Sequence, residues 1–394
     1  MDIVSASQEL RGISLGDRRL ERRAIGVVEA IQRRPGVGFP KVFRERSQLE
    51  AFYRLVNNEA VEPDALLAPH SSESWRRAKQ SGDSALVLHD TSEFIYQGEA
   101  TREGPEKRAG SQSFHGHFAL AVAEGEPPVL HGVVGHRSHV REDGAWFEAV
   151  EDQQLEELLV GSERWFDLAC SVRQSAPTEL ELIHVMDREA DDYALFTRLI
   201  DQGDNFVIRA KHDRRLVGES GRLFDTLQFV SITAERDVAL SRRGHRGFPG
   251  TKKAHPPRDR RVARLSIRAT QVEIRRPASV APLGEATMML SLVEVVELSP
   301  PDGLTPVHWR LLSSLPVDTS QDISRIVDIH RKRWLIEEFF KSLKTGCAAE
   351  KRQARSLWSL LNTISLLVRM SGLVVGILLA PPVRKLSSIQ GSAR

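Results

Sequence analysis

The chain has 394 residues, enough for two or three domains rather than one simple core. Its apolar fraction of 41% excludes global disorder, and its two cysteines, Cys170 and Cys347, exclude a disulfide framework or a thiolate zinc cluster and fit a reducing compartment. The formal net charge of +2 hides an uneven distribution, with ten Lys/Arg against four Asp/Glu from Arg11 to Arg46 and eight against one from Arg242 to Arg261. Two basic stretches in a near-neutral chain suit an acidic polymer touched at several places, although a solvated loop is the commoner reason for any single charge run.

The opening MDIVSASQELRGISL has neither a basic start nor an apolar core, so no secretory signal is expected. Leu20, Ala24, Val27, Val28 and Ile31 recur at helical spacing with Arg18, Arg19, Arg22 and Arg23 between them, and Pro35 and Gly36 stop that helix. Ser47 with Glu50 has capping-box spacing ahead of Leu49, Phe52, Tyr53 and Val56. A third helix is expected from Pro63 to Lys79. Residues 1–80 therefore read as a small, basic, all-helical domain.

The pattern changes at Ala85, where Ala85-Leu-Val-Leu-His-Asp90 reads as a buried strand ending in a carboxylate and continuing through Phe94 to Tyr96. Strands are expected at Phe118–Ala123 and Leu130–His136, helices around Phe147–Leu159 and Glu163–Gln174, and a strand Leu180–Met186 leading directly into Asp187. A helix Tyr193–Asp201 and a strand Phe206–Ala210 complete a three-layer α/β order over residues 81–210. From Lys211 the periodicity becomes two-residue, with strands Val262–Ile274, Met288–Leu298 and Val307–Ser313, which reads as a β-rich insertion over 211–312. A strong helix then spans Asp322 to Lys344, within a core segment 313–372. Leu357 to Val383 carries one charge, Arg369, but Asn362, Thr363 and several serines interrupt it. No clean run reaches the ~20 residues of a membrane span, so a buried or partner-seeking helix is expected and no membrane partner. Residues 373–394 form an atypical tail, and no internal repeat is visible.

Strands that end at Asp90 and Asp187 can set two carboxylates side by side at one edge of a sheet, and carboxylate oxygens are the ligands Mg²⁺ prefers. Glu337 can supply a third from the helix, where Arg333, Glu337, Lys341 and Lys344 recur at +4, +4 and +3 on one face beside the apolar Ile336, Phe339, Phe340 and Leu343. Each residue also has a plainer reading. A strand-end Asp commonly caps a turn, and Glu337 in a basic helix commonly forms i,i+4 pairs. His115, His117, His131, His136 and His139 lack a companion Cys or an HExxH spacing, so they read as surface or packed histidines.

His-Asp90-Thr-Ser, Val-Met-Asp187-Arg-Glu-Ala-Asp191 and Arg333-Trp-Leu-Ile-Glu337-Glu-Phe-Phe-Lys341-Ser-Leu-Lys344-Thr-Gly346 resemble bacterial DDE transposases of the IS-four family, particularly the Tn-five type. The likeness runs from Leu15-Gly-Asp-Arg-Arg through Lys351 and includes Phe52-Tyr-Arg-Leu-Val-Asn57. It implies an RNase H-like catalytic core with a β-rich insertion, preceded by the helical domain acting as a DNA-binding domain through Arg18, Arg19, Arg22 and Arg23. It further implies a metal triad at Asp90, Asp187 and Glu337 holding two Mg²⁺ or Mn²⁺ ions. The family's Tyr-Arg-Glu-Lys signature falls on His330, Arg333, Glu337 and Lys344, with histidine in place of tyrosine; imidazole can still donate a hydrogen bond there. Arg209 matches a DNA-contacting arginine, and Trp309 a tryptophan on which an everted base stacks; the plain reading of Trp309 is a core strand residue. The implied activity is cut-and-paste transposition through a hairpin intermediate, with double-stranded transposon ends and target DNA as partners, a homodimer as the active complex, and a bacterial cytoplasm as the setting. Two alternatives stay open: a metal-dependent nuclease without strand transfer, and a truncated, assembly-defective copy that only binds element ends.

Overall fold

The computed structural model describes residues 5–34, 36–98, 102–108, 110–142, 145–146, 163–218, 221–240, 259–278, 280, 284–352 and 354–379. The helix expected at Phe147–Leu159 and nearly all of the second basic run lie outside them. Twelve strands are present among the described residues: β1 (Ser84–Gln97), β2 (Glu106–Arg108), β3 (Ser111–Val122), β4 (Leu130–His139), β5 (Arg141–Glu142), β6 (Ala145–Trp146), β7 (Glu181–Met186), β8 (Asn205–Arg209), β9 (Ala234–Leu240), β10 (Arg261–Arg275), β11 (Thr287–Leu298) and β12 (His308–Ser313). Ten of them form one mixed sheet in the order β2-β3-β1-β7-β8-β12-β11-β10-β9, with β4 paired to the outer part of β3. The chain is thus a mixed α/β protein. The segment read as an insertion does not fold apart from the core: β12 pairs antiparallel with β8, so its strands extend the same sheet.

Strand alternation decides which side chains face which layer. From β1 and β7, Val87 and Leu182 pack with Trp75 and Ala78 of helix Pro63–Ser81 and Leu168 and Val172 of helix Glu163–Ser175. Leu86, Leu88, Ile183 and Val185 face the other way, into a core shared with Leu335, Ile336, Phe339 and Leu343. All of these side chains are buried, and each Val, Leu, Ile or Phe among them contributes on the order of 1.5–3 kcal/mol.

The single long helix expected at 322–344 is broken into three pieces. Thr319 and Asp322 form a capping box that starts helix Ser320–Lys332, a second helix runs Trp334–Lys341 from a bend at Arg333, and Ser342–Gly346 is a π-helical turn. The capping box expected at Ser47 and Glu50 is absent: helix Arg46–Val56 begins two residues earlier, with Glu45 at the N-cap and no side-chain cap bond. Helix Leu357–Leu379 extends seven residues into the stretch read as a tail. No helix among the described residues is long and apolar enough to cross a membrane.

The N-terminal helices are fastened to the segment that follows Glu337. Arg352 donates to Val37 O at 2.8 Å and lies 4.2 Å over the Phe39 ring. Gly36 approaches the Gly346 carbonyl so closely that a Cβ would sit 3.1 Å from it. Asn362, fully buried, donates to Val56 O at 3.1 Å and Val61 O at 2.9 Å. Asn362→Ala removes this donor and leaves buried carbonyls unsatisfied, so urea unfolding should show a loss of about 1–3 kcal/mol. A variant as stable as the parent would mean that the joint does not depend on this side chain.

Candidate active site

The parallel β1–β7 ladder ends at the pair Leu88↔Val185. Asp90 and Asp187 each lie two residues beyond it, so both leave the sheet on the face that carries Leu88 and Val185. Asp90 lies within β1 rather than at its end: the strand continues past it, as expected through Tyr96, and pairs with β3 at Asp90↔Phe118. Asp187 does follow the last residue of β7, and its Oδ1 caps the turn Arg188–Ala190 by accepting from Glu189 N at 2.8 Å. Glu337 comes to the same face on helix Trp334–Lys341, whose Ile336, Phe339 and Phe340 are buried beneath it.

Arg333 joins two of the three carboxylates. Its guanidinium donates to Asp90 Oδ2 at 3.2 Å and to Glu337 Oε1 at 3.0 Å. Burial is the main reason that the Asp90 carboxyl is pushed up to about 6; Asp187 and Glu337 push it further, against Arg333 and the Thr91 N–H. Asp90 therefore feels both of the other acids electrostatically. Among the described residues, however, no three His, Cys, Asp or Glu side chains close into a group that could already hold a metal ion. The donor chemistry still suits Mg²⁺ or Mn²⁺: three carboxylates, one energetically poor as a bare anion, with a single cationic side chain spanning two of them.

Other residues singled out in the sequence divide into open and enclosed groups. Arg209, at the end of β8, is half-buried and donates to His308 O at 3.2 Å; burial and the nearby Arg188 and Arg333 lower its pKa, while Asp187 opposes them. Lys341 is exposed and pairs weakly with Glu338 at 3.4 Å. Lys344 lies in the π-helical turn that follows the glutamate helix. It bonds the Glu93 carbonyl, lies 5.0 Å over the Phe94 ring and pairs with Glu350 at 3.3 Å. His330 is buried, and burial with Arg333 and Arg209 holds its pKa down near 3. It meets Trp309 edge to face at 5.2 Å, so the imidazole packs inside rather than facing solvent. Trp309 is only partly buried against the core. On helix Arg18–Arg33, Arg18, Arg19 and Arg22 are exposed and Arg23 half-buried. His117, His131, His136 and His139 are buried.

A small basic cavity that sequence reasoning missed lies beside Asp187. Its volume is about 160 Å³, and Arg188, Arg209, Lys211, His308 and Arg310 line it with Phe224. Arg188 and Lys211 were legible as neighbours of Asp187 and Arg209; Arg310 reaches them only through the β8–β12 pairing. Asp191 has a structural duty here, accepting from Lys211 N at 2.5 Å and His212 N at 2.8 Å and pairing with Arg214. A larger groove of about 950 Å³ runs between Glu50, Tyr53, Arg54, Asn57 and Asn58 on one side and Ala354 and Arg355 on the other.

Comparison with known families gives two matches: residues 5–61 to the transposase DNA-binding domain, and residues 171–372 to the transposase DDE domain. The second covers just over half of the chain and contains Asp187 and Glu337, while Asp90 precedes it.

Because the Asp90 carboxyl is raised from 3.8 to about 6, its protonated form favours folding, an advantage that is full below the unfolded value and lost as pH rises through about 6. Asp90→Asn should therefore stabilise the metal-free protein at pH 7.5, by on the order of 2 kcal/mol, and the gain should vanish by about pH 3.5. Thermal melts of both proteins across this range would show it. A variant less stable at pH 7.5 would mean that the Arg333 pair outweighs the burial cost.

Proposed function

The chain belongs to the transposase DDE domain family, and on that premise we propose that Asp90, Asp187 and Glu337 are the carboxylates with which this DNA-cleaving and strand-joining enzyme does its chemistry. The observation that carries the reading is the double ion pair of Arg333. It draws together Asp90 from the sheet and Glu337 from the helix, beside an Asp187 close enough to raise the Asp90 pKa.

In this reading the three carboxylates hold two divalent cations, Mg²⁺ or Mn²⁺, which when bound supply Lewis-acid stabilisation of the phosphoryl group and a deprotonated nucleophile at neutral pH. The chain's own cations do the rest. Arg333 shields like charges from one another before loading, and its planar fork suits a phosphate oxygen pair as well as a carboxylate. Arg188, Arg209, Lys211 and Arg310 give the cavity beside Asp187 the charge for a phosphate of the same strand. Lys341, exposed on the glutamate helix, faces more distant backbone. Trp309 offers an indole face to an unstacked base, a contact worth about 1–3 kcal/mol. His330 supports that indole from behind rather than touching DNA. Lys344, tied to Glu93, Phe94 and Glu350, braces the glutamate helix against β1.

We place the enzyme in the IS-four family, Tn-five type. It would nick an element end, form a hairpin by attack of the freed 3′-hydroxyl, reopen it and join the end to target DNA as a homodimer. The matched DNA-binding domain presents Arg18, Arg19, Arg22 and Arg23 to the backbone. Phosphate contacts carry affinity but not sequence.

Glu337→Gln should abolish Mg²⁺-dependent cleavage of element-end DNA while single-end binding stays near the parent value, because the carboxylate serves the cations. Replacing Arg22 and Arg23 by alanine should do the reverse: weaker end binding, with a salt dependence flatter by roughly one unit of slope per lost phosphate contact. Gel-shift titrations at several salt concentrations, beside a cleavage assay, test both. A Glu337→Gln protein that cuts at the parent rate would contradict the assignment.

A further inference from the structure

On the reverse side of the two carboxylate-bearing strands lies a buried polar chain that the mechanism leaves unused. His89 on β1 and His184 on β7 point into the layer with helix Glu163–Ser175, opposite Asp90 and Asp187. His89 Nε2 and His184 Nδ1 are 2.9 Å apart, and His184 Nε2 lies 3.1 Å from Asp204 Oδ2. Arg173 closes the chain on Asp204 Oδ1 at 2.8 Å. His89, His184 and Asp204 are all buried. On the far side of His89 the ring of His117 lies 5.7 Å away, and His117 Nδ1 bonds Thr91 Oγ1 at 2.8 Å. Both neighbours of Asp90 in sequence are thus held from behind.

We propose that Asp204, His184 and His89 form a positioning relay that sets the relative placement of Asp90 and Asp187 from the opposite face of their strands. The proposal rests on the reading that these two carboxylates share divalent cations. Its logic is one of cost. Leucine or phenylalanine would fill the same space without desolvating imidazoles and a carboxylate, and buried polar groups that are retained commonly specify one arrangement rather than add stability. The contact is also where register matters most, since His89 adjoins Asp90 and His184 is three residues before Asp187. With Asp204 as acceptor, His184 donates through Nε2–H and accepts through Nδ1, and His89 donates through Nε2–H. His89 Nδ1 is then the bare acceptor, and it is the ring atom that finds no partner among the described residues. Each bond fixes the tautomer of the next ring, so a change at Asp204 is felt at β1. These are positioning residues, acting through the carboxylates.

The test titrates Mn²⁺ into the full chain by isothermal calorimetry, for the parent, His184→Phe, Asp204→Asn and the core control Val207→Ala, with melting temperature and end-DNA binding recorded for each. We expect Mn²⁺ to bind about tenfold more weakly to His184→Phe and a few-fold more weakly to Asp204→Asn, as for other groups that orient metal ligands, with end binding preserved. The control should melt lower yet bind Mn²⁺ like the parent. Parent-like Mn²⁺ affinity in His184→Phe, or in Asp204→Asn where the former does not fold, overturns the relay. A parent that binds no Mn²⁺ overturns the cation reading and the relay with it. Nitrogen-15 spectra of the histidines give a metal-free readout: Nε2–H tautomers on both rings are expected, and Nδ1–H on either overturns the relay.

Discussion

Bringing like charges together inside a protein is unfavourable, and the arrangement of this chain around residue 90 can be understood as the management of that cost. A half-buried carboxyl with a second and third acid nearby is pushed up to about 6 even with a guanidinium against it. The fold tolerates this because three independent elements are each held rigid by apolar packing: β1 and β7 by their parallel ladder, and helix Trp334–Lys341 by Ile336, Phe339 and Phe340. The backbone that carries each acid is therefore fixed by a core. The bend at Arg333 then lets one side chain reach both the sheet and the helix.

The same rigidity links the DNA-binding helices to the acidic centre. The turn after Glu337 receives Gly36, the following segment inserts Arg352 between Phe39 and the Cys347 carbonyl, and helix Leu357–Leu379 reaches back to Val56 and Val61 through Asn362. Trp358 and Ser359 add bonds to Asn58 O and Asn57 Oδ1. The groove beside these bonds, with Arg54, Asn57 and Arg355 on its walls, spans both units.

Much of this was legible in the sequence because apolar periodicity reports local structure directly. The strands at 85–96, 180–186 and 206–210 and the helix at 193–201 were all visible as runs or stripes. Asp90, Asp187 and Glu337 stood out because each falls where a run meets a turn or a basic face. What escaped was non-local. Nothing in the alternation of 262–313 says that those strands join the main sheet, since pairing β12 with β8 is a contact across about a hundred residues. Spacing at +4, +4 and +3 placed Lys344 on one α-helical face with Glu337, whereas it lies in a π-helical turn after that helix, tied to Glu93, Phe94 and Glu350. His330 falls on the tyrosine position of the resembled family's signature, a match that says nothing of its burial, and the structure buries it against Trp309. His89, His117 and His184 came together only once alternation and pairing set them in one layer.

The central claim is that Asp90, Asp187 and Glu337 converge on the same cations despite arising from three elements and lying 97 and 150 residues apart in sequence. Hydroxyl-radical cutting of the polypeptide by iron tests this most directly. Fe²⁺ is exchanged into the Mg²⁺ site of the DNA-bound protein, ascorbate and peroxide are added, and the fragments are mapped. The account predicts three clusters of backbone cuts, near residues 90, 187 and 337, all suppressed together by excess Mg²⁺. Cutting that omits any one of the three while the others persist would contradict it.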